Sequence, residues 1–274
     1  MEGRQKKRII IVAIYLVLLI TFCIFIYYAF LKPEETCFDK VKNQNEEDVD
    51  CGGVCARCQK IEAQPLVSLE TGIVDSGIPG EYDFYSFLSN PNNIYGSQSF
   101  QYEIRMKDAS GNVLTERTGE SFILPGEKKY IVETNFKLET VPAKAELAIK
   151  SSQWIEFNQY YQKPDLEIVN KNYSEITGGV GFSEAKGLLK NKSPFDFELI
   201  KIRVILKDNN GKVVGLNSTQ MRTVKSKEER DFRALWPNRF PGDVRNMEAQ
   251  AEVNVFDSEI FMQRFFQTQK FQKY

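Results

Sequence analysis

The chain predicts a mainly β protein: two β-sandwiches behind an N-terminal transmembrane helix and a small disulfide-rich module. Three observations carry that prediction. Period-two alternation of apolar and polar residues marks half-buried strands. One turn grammar recurs about 100 residues later, and one long apolar run stands alone at the N-terminus.

Composition narrows the functions available. The 274 residues hold 36 Lys plus Arg, 37 Asp plus Glu and no His. The lack of His excludes an imidazole general base, a Ser-His-Asp or Cys-His set and every His-ligated metal or haem site. A net charge of −1 argues against nucleic acid as the partner. Residues 1–8 form a cytoplasmic stub in which Arg4, Lys6, Lys7 and Arg8 are opposed by Glu2 alone. Residues 9–31 form the transmembrane helix, within which Ile9 to Phe30 carries no charge over 22 residues, a rise of about 33 Å as a helix. Membrane lipid is thus the expected partner of residues 9–31. The positive-inside rule places the C-terminal ectodomain outside, making a single-pass protein of the cell membrane. Tyr27-Tyr28-Ala29-Phe30-Leu31 offers no Ala-x-Ala cleavage pattern, and Phe22 before Cys23 is too large for a lipid-attachment motif.

Residues 33–60 form a cysteine-rich juxtamembrane module. Cys37, Cys51, Cys55 and Cys58 fall within 22 residues. On the translocated side they make two disulfides, with three connectivities open, and cross-links replace a core that so short a segment cannot bury. Zinc or an iron–sulfur cluster is the competing use of four clustered thiols, disfavoured in an oxidising compartment. Asp39, Asn43, Glu46, Asp48 and Asp50 add hard oxygen ligands at close spacing, the donor type of a calcium site, without the EF-hand order.

Cys37, Asp39, Asn43, Glu46, Asp50, Cys51, Gly52, Gly53, Cys55 and Cys58 make the module resemble a short cysteine motif of many secreted and cell-surface proteins, C-x-D-G-x-x-N-x-x-E-x-x-x-D-C-G-G-x-C-x-x-C. Lys40 and Gln44 stand where glycines often occur. The resemblance covers about a twelfth of the chain and implies location rather than activity.

Residues 64–160 and 162–274 form the two sandwiches. Phe100-Gln-Tyr102-Glu-Ile104-Arg-Met106-Lys alternates, Asp108-Ala-Ser-Gly111 turns, and Asn112-Val113-Leu114 returns. Adding 100 brings Tyr102, Ile104, Met106, Asp108, Gly111 and Val113 onto Ile202, Val204, Leu206, Asp208, Gly211 and Val213. Asn90 falls near Asn191, and Glu146–Lys150 aligns with Glu252–Phe256. An internal repeat of this length fits two copies of one sandwich. Phe87-Leu-Ser-Asn90-Pro91-Asn92 resembles the opening of late-embryogenesis-abundant-like surface domains, and Gly187 to Phe195 resembles the FxLYD-type extracytoplasmic domain. These resemblances imply immunoglobulin-like sandwiches and name no ligand.

Other nominations are weaker. Gly178-Gly179-Val180-Gly181 lacks the Lys-Ser/Thr of a phosphate loop and reads as a turn. Ser183, Glu184 and Lys186 lack the flanking sequence of a nucleophile site. Asn172, Asn191 and Asn217 begin glycosylation sequons. Tyr82, Phe84, Tyr85 and Phe87 open the first core, or form a stacking face for glycan or peptide. Phe261 to Tyr274 is a last strand or an adhesive extension, with helical spacing also satisfied. The function expected is that of a non-enzymatic scaffold, adhesion protein or envelope-complex subunit, with a protein partner or a homo-oligomer. A calcium- or glycan-binding module is the alternative.

Overall fold

The computed structural model describes residues 2–27, 36–39, 41–47, 49–56, 63–158 and 160–265, without the side chains of residues 2–9 and 12. Helix α1 spans Glu2–Ile26. Its described large apolar side chains lie exposed at almost every position from Ile10 to Phe25, so apolar surface covers all its faces. Among the described residues no helix is long and apolar enough to cross a membrane. The span expected over 9–31 also draws on the side chains of residues 9 and 12 and on residues 28–31, which lie outside that description.

The described residues from 63 to 265 form one compact unit of twelve strands. Six belong to the first copy: β1 Val67–Asp75, β2 Glu81–Ser89, β3 Tyr95–Lys107, β4 Val113–Ile123, β5 Lys128–Lys137 and β6 Lys144–Glu156. The second copy holds β7 Leu166–Glu175, β8 Ser183–Asn191, β9 Phe197–Lys207, β10 Val213–Val224, β11 Glu229–Trp236 and β12 Asn246–Glu252. The sheets run β1-β2-β5 and β4-β3-β6, then β7-β8-β11 and β10-β9-β12. One topology is therefore built twice. All pairings within the sheets are antiparallel.

Each pair of sheets closes on its own core. Phe84 and Leu88 from β2 meet Phe100, Ile104 and Met106 from β3 and Ile131 and Phe136 from β5. The alternating residues of β3 point inward as the period of two requires. In the second copy Ala185, Leu189, Ile200, Ile202, Val204, Leu206, Phe232 and Trp236 do the same.

The repeat extends to single hydrogen bonds. Asn90 Nδ2 donates to the carbonyls of Tyr95 and Leu124, and its Oδ1 accepts from Asn92 N. Asn191 Nδ2 donates to the carbonyls of Phe195 and Lys225, and its Oδ1 accepts from Ser193 N. The backbone N–H of each donates to a carbonyl of the matching glutamate, Glu127 or Glu228. Those two carboxylates in turn cap Leu124 N and Lys225 N. Each buried asparagine thus ties two loops together at one end of its sandwich, satisfying backbone groups that water cannot reach. The β3–β4 and β9–β10 turns also match: Asp108 and Asp208 accept from the amides two and four residues on, with Gly111 and Gly211 at positive φ.

Three expectations are corrected. Glu252–Phe256 is not the counterpart of β6; strand β12 ends at Glu252, and Val255–Asp257 is a short 3₁₀ turn. Residues 259–265 form helix α2, Glu259–Phe265, instead of a strand, because Phe261 and Phe265 at helical spacing fill the end of the second core against Phe195 and Tyr161. Residues 266–274 lie outside the described residues. The sequon at Asn191 is closed, since that side chain is 1% exposed and fully bonded.

Replacing either asparagine by alanine removes both side-chain donor bonds and the Oδ1 acceptor of the clasp, and leaves Leu124 O or Lys225 O with the amide of Glu127 or Glu228 alone. Asn90→Ala and Asn191→Ala are each expected to cost about 2–4 kcal/mol in chemical denaturation. A loss below about 0.5 kcal/mol at either site would show that the loops do not depend on the clasp.

Candidate functional site

The cysteine module is built around one carboxylate. Cys37 and Cys55 form a disulfide, and Cys51 is disulfide-bonded as well. Cys58 and Asp48 lie outside the described residues. Glu46 is buried, and its Oε2 accepts from Asn43 N and Asp50 N while Oε1 lies 3.2 Å from Cys55 Sγ. Asp39 accepts from Thr36 N, Val41 N and Asn43 Nδ2. That side-chain bond from Asn43 and the two backbone amides hold the Asp39 carboxyl below its usual range. Gln44 takes φ +47°, the left-handed conformation for which glycine is usually used, so the turn survives the substitution. Gly53 cannot be replaced as easily: a Cβ there would meet Asn45 O at 2.3 Å.

Of the nominated calcium ligands, Asp39 and Glu46 are therefore engaged as caps for backbone N–H groups. Asn43 Oδ1 is buried without a hydrogen-bond partner. Cys37, Glu46 and Cys55 bring donor atoms within 4.8 Å of one another, but the two sulfurs are bonded to each other and offer no thiolate.

The most developed constellation in the larger unit lies where the two sandwiches meet. Strand β5 is an edge, and Gln250 on β12 reads it as a neighbouring strand would: Tyr130 N donates to Gln250 Oε1 at 3.1 Å and Gln250 Nε2 donates to Lys128 O at 2.6 Å. Beside it, Lys129 is 0% exposed. Its Nζ donates to Glu252 Oε1 and Phe122 O, both at 2.7 Å, and lies 3.9 Å from the Phe122 ring centre. Arg203 Nε donates to Glu252 Oε2 at 2.9 Å. Burial would raise the Glu252 carboxyl, but the Lys129 ammonium and the Arg203 guanidinium outweigh it and hold the group at about 2. Tyr130 OH donates to Glu248, which also pairs with Lys207. Val74, Tyr85, Tyr130 and Val132 of the first copy close against Ile205, Val213 and Leu216 of the second.

The repeat shows how this surface differs chemically from its counterpart. Arg105 and Glu116 face each other across β3 and β4 as an ion pair at 2.9 Å, and the matching cross-strand pair in the second copy is Ile205 with Leu216. Lys107–Glu146 persists as Lys207–Glu248. Lys150–Glu103 persists with its charges exchanged, as Glu252–Arg203. One ion pair turned apolar makes a docking face. The run Val204-Ile205-Leu206 breaks the alternation of β9, and that break is the sequence signal for a second buried face.

The other nominations resolve into packing. Phe84 points into the first core and Tyr85 into the junction, so β2 is buried on both faces. Gly178 and Gly181 take positive φ in the β7–β8 turn. Ser183 is fully buried, while Lys186 and Arg233 pair with Glu184. Asn217 donates to Leu235 O, and Asn172 is exposed on β7.

No protein-family model matches the chain, and no curated protein matches it. A transglutaminase of red sea bream is 11% identical over 68% of this chain and 31% of its own, with a TM-score of 0.22. The calcium-binding domain CBD12 of CALX1.1 is 10% identical over 69% of this chain and 83% of its own, with a TM-score of 0.20. A β-glucuronidase of Bacteroides uniformis is 12% identical over 64% and 22%, with a TM-score of 0.17. The chain spans about a third of the red sea bream enzyme. Likeness this slight assigns neither a ligand nor a reaction.

Two outcomes follow from the junction. Ile205→Arg restores the charge of the first copy and is expected to part the sandwiches without unfolding either, splitting one thermal transition into two and enlarging the radius in X-ray scattering. A single unshifted transition would contradict this. Because the folded Glu252 carboxyl lies below its ordinary 4.5, its contribution is complete above about pH 4.5 and fades as pH falls toward 2. Acid titration of Glu252→Gln should therefore lose the part of the stability drop seen in that window; an identical acid profile would remove Glu252 from the account.

Proposed function

We propose that this chain is a single-pass, membrane-anchored extracytoplasmic scaffold, a subunit or adhesion protein that works by contact through two immunoglobulin-like sandwiches. The observation that carries this reading is the junction: an ion-paired and apolar seam joins two small sandwiches into one body. Such a body suits holding partners at fixed spacing.

The anchoring part rests on α1. Its apolar side chains are exposed on every face, which suits a lipid surround, and Thr21 Oγ1 donates to the carbonyls of Val17 and Leu18, as a hydroxyl among apolar neighbours must. The basic residues at 4–8 keep the N-terminus cytoplasmic by the positive-inside rule. The Cys37–Cys55 disulfide suits an oxidising outer compartment.

In-cell cross-linking, followed by purification in mild detergent and mass spectrometry, tests the reading. A stoichiometric protein partner cross-linked to residues 63–265 is expected; recovery without any partner or second copy would overturn it. A second reading, calcium in the cysteine module, is favoured by the unpartnered Asn43 Oδ1. Calorimetric titration with calcium chloride should then give a saturable site that Asp39→Asn weakens at least about tenfold, and no heat of binding would end that reading.

A further inference from the structure

The two copies differ in how their last strand ends. In the first, β6 pairs with β3 along its whole length, from Lys144 opposite Lys107 to Glu156 opposite Tyr95. In the second, β12 stops at Glu252 opposite Lys201, and the chain turns away at Val253 toward its 3₁₀ turn and α2. Among the described residues, Phe197 to Ile200 of β9 are thus paired with β10 on one side and flanked by no strand on the other. Between this stretch of β9 and the chain that follows β12 there is a cavity of about 590 Å³, lined by Phe197, Leu199, Lys201, Val253, Asn254 and Ile260 among others. Leu199 and Ile260 are 42% and 72% exposed at its mouth.

We propose that this slot accepts an extended segment of a partner protein, which adds antiparallel to β9 at Phe197–Ile200 and continues the line of β12. The proposal deepens the scaffold reading and rests on it. The first copy supplies the template: the matching stretch Ser97–Phe100 is covered by Ser152, Gln153 and Trp154 of β6. Main-chain hydrogen bonds of an unpaired sheet edge give such recognition its affinity, and pockets for alternate side chains give it specificity. Charges of both signs border the slot, Lys201 and Arg222 against Glu198 and Glu259, so the ladder and an apolar side chain over Leu199 and Ile260 select the occupant. The slot also continues an existing interface, because Phe122 and Glu252 line it and belong to the junction lock.

The test uses the full chain in detergent micelles and a fluorescent peptide with the sequence of residues 150–157, which contains the template. Saturable binding is expected. Leu199→Asp, an exposed change that should leave the melting temperature in place, is expected to weaken it at least about tenfold. A peptide with prolines in place of Gln153 and Trp154 should not bind, because proline cannot donate to a ladder. No saturation by about 1 mM, or equal binding of the proline peptide, would overturn the proposal. Binding that appears only after deletion of residues 266–274 would assign the slot to the chain's own C-terminus and overturn the partner reading. A cellular partner cross-linked elsewhere, with no peptide binding, would discard the slot and keep the scaffold. Peptide binding without any cellular partner would do the reverse.

Discussion

The larger unit depends on one buried ammonium. Lys129 is closed off from water, and its strongest partner, the Glu252 carboxylate, comes from the other sandwich. An ammonium stripped of water and left unpaired costs several kcal/mol, about 3–5 when one member of a buried pair is removed. The first sandwich therefore cannot keep Lys129 in place unless the second is docked with Glu252 in register. Such pairs add little net stability against an apolar alternative, but they punish every wrong arrangement. Ile205, Val213 and Leu216 against Tyr85, Tyr130 and Val132 drive the closure, and the charges determine where it stops. Gln250 completes the seam by bonding the backbone of the β5 edge at Lys128 and Tyr130.

The repeat separates what the fold needs from what each copy does. The asparagine clasps, the Asp-to-Gly turns and the inward-facing residues of β3 and β9 are common to both, and they serve topology alone. Divergence is concentrated on the outer face of β9, on β12, and on the chain after Glu252. There the second copy exchanges Arg105 and Glu116 for Ile205 and Leu216, and a long final strand for a short one followed by α2. Phe261 and Phe265 on α2 close the core at the end the shortened strand leaves open.

Much of the fold was legible because it obeys short-range rules. Alternation in β3 and β9, the two Asp-x-x-Gly turns and the offset of 100 all depend on neighbours in sequence, and Asn90 and Asn191 could be matched before their bonds were known. What escaped depends on distance. Lys129, Arg203, Gln250 and Glu252 look like ordinary surface residues of edge strands until a second sandwich covers them, and no local spacing reports that Lys129 meets a residue 123 positions away. The Phe261 and Phe265 pair satisfied both strand and helix patterns, and tertiary packing decided for the helix. In the cysteine module the residue types were read correctly as acidic, yet Asp39 and Glu46 proved to serve backbone amides, an outcome that ligand chemistry alone does not distinguish from metal binding.

A docking face repeated in every copy would invite open-ended assembly, since a head-to-tail contact that does not close grows into a filament. This chain avoids it from both sides. The second copy's counterparts of Tyr85, Phe87, Tyr130 and Val132 are Lys186, Leu188, Asp231 and Arg233, as the paired registers of β2 with β5 and β8 with β11 require. The first copy's counterpart of the Ile205 and Leu216 face is the half-exposed ion-pair network of Arg105, Glu116, Glu103 and Lys150. Another molecule of the same chain finds at either end a solvated charged face whose desolvation costs more than its apolar area returns. The two faces that would repeat the junction are thus closed to another copy, which leaves loops, edges and, among the described residues, the side of β9 beyond Glu252 as the surfaces open to a different partner.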